Sequence, residues 1–299
     1  MPTNPTIIRN GLNALFVQEM LRLQEMSGES PGVMSLATAA PSSGAQEDYA
    51  WLGNMPAVQE WLGELNLEQL NDYEYAIKNR DFAVPVVLKK NDIDDDKVGP
   101  LKIIAAQLAV KIMKHPRRLI VDSIINGVTG LAYDGVAFFS NASGVRVIDN
   151  LLAGTGTTVA LLAADLASAE AAMMAFTDDQ GEYLNIGPDT ILCGPALAND
   201  FRRLVGSATD PTATATGTYN PFYNRYQVLV DARIGVDDPN DWYAFATREP
   251  VRPFVYQLRE NARVEMREKD LTKQVAYYAH GRWNVGYGLP HLAVKVVNT

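Results

Sequence analysis

The run Tyr73-Glu-Tyr-Ala-Ile-Lys-Asn-Arg-Asp-Phe-Ala-Val-Pro-Val-Val-Leu-Lys89 leads through the acidic knot Asn91-Asp-Ile-Asp-Asp-Asp96 into one long segment from Pro100 to Asn126, and its reading decides the fold. Tyr73, Tyr75 and Ile77 alternate with polar or small residues, as do Phe82, Val84, Val86 and Leu88 after Lys78-Asn79-Arg80-Asp81. Alternation on both sides of a polar break predicts a β-hairpin over 73–89. Pro85 cannot donate to a ladder, which places its strand at an edge. A two-stranded ribbon is only marginally stable in water, so something else must hold it.

Beyond the knot, Leu101, Ile104, Ala105, Leu108 and Ile112 recur at helical spacing, and Leu119, Ile120, Ile124 and Ile125 continue the stripe to Asn126-Gly127. The spacing predicts a long helix stopped by Gly127, which Pro116 should kink or split. The knot itself fails as a calcium loop. An EF-hand requires Gly at the sixth place and Glu at the twelfth, where Lys97 and Ile103 stand. Acidic residues ahead of a helix are favoured by its dipole, and Pro100 suits a first turn.

Working outward, Ile8 to Met26 carries a helical stripe, whereas Ser27 to Ala50 is rich in Gly, Ser, Pro and Ala and reads as an extended arm. Such an arm is ordered by lying along another surface, or else it is a mobile terminus. Trp51 and Trp61 bracket a compact segment and are expected to fill a core or an interface. From Leu131 to Pro250 the chain reads as mixed α/β. Strands are predicted at Val145 to Ile148, Asp189 to Cys193 and Tyr226 to Ile234, helices at Val159 to Phe176 and Ala196 to Val205, and a long loop at Ser207 to Asn224. Phe254 to Val297 returns to β patterning, with a charged stretch from Arg259 to Lys273 between.

Composition narrows the function. A chain of 299 residues with 47% hydrophobic content buries a sizeable core. Its net charge of -9 and pI of 4.9 argue against a protein that grips nucleic acid through a basic face. One cysteine, Cys193, rules out an intrachain disulfide and Cys-type zinc or CxxC chemistry. Met1 to Gly11 has neither the basic nor the apolar region of a signal peptide, and no window reaches the apolar length of a membrane span.

Catalytic readings fail one by one. Gly154-Thr-Gly156-Thr-Thr-Val-Ala160 departs from a dinucleotide loop in its third small residue, and a loop capping the next helix explains it. Ser143 lacks the leading glycine of a nucleophile elbow. His115, His280 and His291 have no metal-ligand spacing and are expected at exposed positions, and Cys193 reads as a buried small hydrophobe. No catalytic, cofactor-binding or metal residue is assigned.

The residues do carry a resemblance. Trp51-Leu-Gly, Glu60-Trp61-Leu-Gly63, Tyr75-Ala-Ile-Lys-Asn-Arg-Asp-Phe82, Asp94-Asp-Asp-Lys-Val-Gly99 and Tyr133-Asp-Gly-Val-Ala-Phe-Phe-Ser140 together resemble the Mu-like phage major head subunit (T protein) family. After Ser140 the family pattern has a His-Pro pair, and Asn141-Ala142 stands there. The resemblance implies an α+β chain of the HK-97-like capsid fold. Its parts would be an N-terminal arm over 1–50, and a Trp-rich segment with the E-loop hairpin over 51–99, the hairpin itself at about 73–89. A P domain over 100–144 would follow, with its spine helix at about 100–126, then an A domain over 145–253 and returning P-domain strands with a tail over 254–299.

The resemblance also implies a structural protein and not an enzyme. It would self-assemble into the pentamers and hexamers of an icosahedral virion shell in the host cytoplasm, enclosing double-stranded DNA without sequence-specific binding. Expected partners are a separate scaffold protein with a maturation protease, a portal and a decoration protein, with no cofactor and no membrane. Candidate inter-subunit contacts are Tyr73, Tyr75, Lys78, Arg80, Asp81, Phe82 and Val84, with Trp51 and Trp61 as core or interface aromatics. Some members of the fold cross-link a ribbon lysine; Lys78, Lys89 and Lys90 read as ordinary solvated lysines. An encapsulin-like nanocompartment shell and, remotely, a nucleotide-dependent enzyme are the alternatives.

Overall fold

The computed structural model describes residues 14, 16–18, 32–49, 75–89, 98–141, 146, 148–178, 181–213, 217–269 and 274–298. Trp51, Trp61, Tyr73, Ser143 and the acidic knot lie outside them, as does most of the stripe from Ile8 to Met26.

Two sheets share one helix. The first sheet has the order β1-β9-β10-β4, built from β1 (Ala37–Pro41), β9 (Phe254–Lys269), β10 (Gln274–Tyr287) and β4 (Arg80–Lys89). The second has the order β5-β11-β8-β6-β7, from β5 (Leu151–Ala153), β11 (Ala293–Val297), β8 (Trp242–Phe245), β6 (Thr190–Cys193) and β7 (Gln227–Val230). The short strands β2 (Gln46–Asp48) and β3 (Ala76–Lys78) pair with each other. The shared helix is α1 (Val98–Ile125), 28 residues long. It runs through Pro116 as one helix, so of the kink or split expected there the split does not occur.

The apolar stripe of α1 explains its central place. Leu108, Ala109 and Ile112 are buried with Val275, Tyr277, Ala279 and Trp283 of β10, and Phe16 from the N-terminal stripe closes the same cluster. Further along, Ile120, Val121 and Ile124 are buried with Leu192, Leu229, Tyr243 and Phe245, one face of the second sheet. The other face, with Ile191, Cys193, Trp242 and Ala244, is covered by α2 (Val159–Met174) and α3 (Ala198–Gly206). β6 and β8 are therefore buried on both sides, which is why Ile191–Cys193 and Trp242–Phe245 are apolar throughout. Thr158 caps α2 by accepting a hydrogen bond from the Leu161 N–H, so the glycine-threonine loop is the cap its sequence suggested. A short α4 (Ile234–Asp237) follows β7.

Gly127 follows the helix in a 3-10 turn, and its lack of a side chain matters there. A Cβ would fall 2.6 Å from Cδ2 of Phe139, so only glycine lets the buried ring close over the helix end.

Three expectations are corrected. β3 and β4 do not form a hairpin: a single residue, Asn79, separates them, and β3 pairs with β2 while β4 pairs antiparallel with β10 from Arg80 to Lys89. The charged stretch after Arg259 does not interrupt the β pattern. Arg259 to Lys269 is the far half of β9, paired along β10, and residues 270–273 lie outside the described residues. Finally, β11 does not return to the first sheet; it lies between β5 and β8 in the second, so the last strand belongs with residues 151–245. Val145 and Val147 of the expected strand at Val145 to Ile148 lie outside the described residues; Arg146 between them is a buried cation.

Candidate assembly surface

The arm is folded against its own chain. β1 runs parallel to β9, from Ala37 beside Phe254 to Pro41 beside Leu258. The turn that follows closes on Glu47, whose Oε1 accepts from Ser42 Oγ (2.9 Å), Ser43 N (2.6 Å) and Gly44 N (2.7 Å). The bonds from the Gly44 and Ser43 backbone hold this carboxyl below its ordinary range.

Asn79 joins this turn to the ribbon. Its side chain is buried and donates from Nδ2 to Ser42 Oγ at 2.7 Å and to the Gly44 carbonyl at 2.9 Å, while its backbone N–H donates to Ala45. The Lys78-Asn79-Arg80 break is thus an inward anchor and not a hairpin tip. Arg259 Nη1 also donates to the Gly44 carbonyl, at 2.7 Å.

The nominated contact residues fall into two sets around that anchor. Phe82, Val84 and Val86 lie on the face of β4 toward α1. The Phe82 ring is 4.2 Å from that of His115 and 5.8 Å from that of Trp283, and Trp283 Nε1 donates to His115 Nδ1 at 3.2 Å. Burial pushes the His115 pKa down. Trp283 reaches this place because Gly281, at a register shift in β10, leaves room for its ring; a Cβ there would lie 2.2 Å from Cζ3. Tyr75 is likewise internal, its hydroxyl accepting from the Tyr287 N–H at 2.8 Å. Phe82, Val84 and Tyr75 therefore hold the subunit together.

Lys78, Arg80 and Asp81 are exposed. Asp81 is already matched within the chain, 2.5 Å from Arg282 Nε, and the Lys78 carbonyl accepts from Asn284 Nδ2 at 2.8 Å. β4 is an edge strand, as Pro85 required, and Val87 on its outer side is half exposed. Sequence reading missed Arg282 and Asn284, which fix the outward residues from about 200 positions away; alternation within β10 is their only local signal.

The histidines differ from the expectation of exposed positions. His291 is buried, and burial together with the Arg146 charge lowers its pKa to about 4. Near it, Arg146 grips Asp134 through Nε–Oδ2 and Nη2–Oδ1 contacts of 2.6 Å each and donates from Nη1 to the Ala137 and Phe138 carbonyls. Cys193 is buried, its thiol pushed up to about 12 by desolvation, as a structural cysteine should be. No described helix is long and apolar enough to cross a membrane.

Comparison with known proteins places this architecture. The chain is 30% identical over 129 residues to the Mu-like prophage FluMu major head subunit of Haemophilus influenzae, and 31% identical over 104 residues to the major capsid protein of Escherichia phage Mu. These matches cover 43% and 35% of this chain, and 42% and 34% of the relatives' own lengths. The procapsid protein of bacteriophage JBD30 aligns with 98% of this chain and 75% of its own at a TM-score of 0.53 and 20% identity. The holo-SrpI encapsulin complex of Synechococcus elongatus aligns with 88% and 85% at a TM-score of 0.56 and 12% identity. The chain has the HK-97-like fold that such shells share. The model of the Mu-like prophage major head subunit gpT matches residues 12–160, 152–234 and 232–299, and the chain belongs to that family.

Proposed function

We propose that the protein is the repeating subunit of a Mu-like phage head, assembling into the pentamers and hexamers of an icosahedral shell around double-stranded DNA. Family membership across nearly the whole chain is the observation that carries this reading. It is a structural role, and the partners it calls for are further copies of itself, a scaffold protein with a protease acting on it, a portal and a decoration protein. In such a shell the Lys78-Arg80-Asp81 surface and the open edge of β4 face a neighbouring subunit. An edge strand offers unpaired main-chain groups, and exposed charge steers docking.

Expression of the chain with its scaffold, followed by cryo-electron microscopy, should give large closed particles that enclose DNA in infected cells. Small oligomers under assembly conditions would overturn the reading. The encapsulin likeness supports a second reading, a nanocompartment shell. Smaller particles filled with a cargo enzyme would decide for it.

A further inference from the structure

The long helix keeps one face clear of both sheets. Ile103, Gln107, Lys111, Lys114 and Arg118 recur at spacings of three and four and are exposed, on the side away from the buried Leu108, Ala109 and Ile112. Residues 111–118 hold four cations, Lys111, Lys114, Arg117 and Arg118, and no carboxylate, in a chain whose net charge is -9. Asp122, one turn further on, is 3.7 Å from Arg118 and is also paired with Arg233, so it is shared between two guanidiniums. Among the described residues Lys111 and Lys114 form no ion pair.

The helix dipole does not account for this cluster. Its favourable effect on cations fades within the last turn, and Lys111 and Lys114 sit well before the end at Ile125. On the first sheet several outward charges are matched, Asp81 with Arg282 at 2.5 Å and Arg263 with Glu260 and Glu265 at 2.9 and 3.2 Å, whereas Lys111 and Lys114 have no such partner among the described residues.

We propose that the Lys111, Lys114 and Arg118 face of α1 is a contact surface for double-stranded nucleic acid, bound through its phosphates without base readout, and that it marks the side of the subunit turned toward the enclosed genome. This rests on the shell reading. The row spans roughly 10 Å at the rise of an α-helix. Duplex DNA presents a charge for about every 1.7 Å of its axis, so each copy meets several phosphates and releases their counterions. A contact of three or four cations is weak singly and adds up over many copies of a shell. The acidic remainder of the chain keeps the wall from adhering strongly.

The test is binding of a short fluorescein-labelled duplex to the full chain, read by anisotropy over a series of salt concentrations. Wild type should bind with a log–log salt slope of about -3. Lys111→Gln with Lys114→Gln, conservative for helix formation, should make the slope shallower by about two and weaken binding at least tenfold at low salt, on the order of 1.4 kcal/mol. Arg203→Gln, at an exposed position on α3, should change neither. Salt-independent or absent binding by wild type, an unchanged slope in the double variant, or an equal loss in Arg203→Gln would overturn the proposal. Electron microscopy of the same proteins expressed with the scaffold separates the two readings. Shells that form normally while the slope is unchanged sink the contact alone; a wild type that forms no shells sinks the shell reading.

Discussion

Asn79 donates its side-chain amide to Ser42 Oγ at 2.7 Å, so the junction of β3 and β4 is fastened to a turn 37 residues earlier. The amide also reaches the Gly44 carbonyl, and together these bonds pin the arm and the ribbon as one unit. Asn79→Ala removes both bonds at a part-buried site where the Gly44 carbonyl still accepts from Arg259, which should cost about 0.5–1.5 kcal/mol. The loss should be local, seen as faster protease cleavage between Leu36 and Tyr49 with the helices intact by circular dichroism. Unchanged cleavage would show that β1 alone holds the arm.

Phe82 and Arg80 make a contrast two residues apart. Phe82→Ala empties the space beside His115 and Trp283 and should lower unfolding stability by about 3 kcal/mol. Arg80→Glu, at an exposed position, should stay within about 0.5 kcal/mol of wild type. Combined with Lys78→Glu it should still impair shell formation. Urea midpoints set against particle yield by electron microscopy read both effects, and normal shells from the charge-reversed subunit would remove Lys78 and Arg80 from docking.

Arg146 is 4% exposed at its side chain and Asp134 12%. Arg146→Ala would strand the carboxylate and uncap the Ala137 and Phe138 carbonyls, and should cost about 3–5 kcal/mol. Arg146→Lys should recover only part of this, since an ammonium cannot reproduce the paired fork. Full recovery by lysine in urea denaturation would mean that charge matters there and geometry does not.

His291 sets a pH dependence whose sign follows from burial. Its pKa falls from 6.5 to about 4 in the folded chain, so below pH 6.5 the unfolded chain takes up a proton that the folded one refuses. Stability from this group is complete above pH 6.5, declines as pH falls and has been lost by about pH 4, a change of up to about 3 kcal/mol. The lowered pKa of His115 acts in the same direction. His291→Gln should flatten urea midpoints between pH 6.5 and 4; an equally steep profile in that variant would place the effect elsewhere.

What the sequence shows and hides can be traced residue by residue. α1, α2 and β6 were legible because burial in each follows the chain's own period, as with Leu108 and Ile112 or the run Thr190 to Cys193. Pro85 correctly marked an edge. The supposed hairpin at Asn79 was misread because alternation reveals a strand but not its partner, and β4 finds its partner near Trp283. Arg259 to Lys269 resembled a break since it is a strand with charged residues along it, held by pairing with β10 more than by a buried face. Of the described candidate contacts, only Lys78, Arg80 and Asp81 remain outward, and the basic row on α1 was hidden within a stripe read for its apolar side.

The position of β11 has a consequence for synthesis. β5, β6, β7 and β8 all leave the ribosome before β9 and β10, yet the gap between β5 and β8 is filled only when Ala293–Val297 follows them. The earlier-made sheet must wait, with two strand borders open, for a segment that comes after the long hairpin of the other sheet. Both halves therefore reach their final form at nearly the same moment, and a nascent chain has no finished half to offer a neighbour ahead of time.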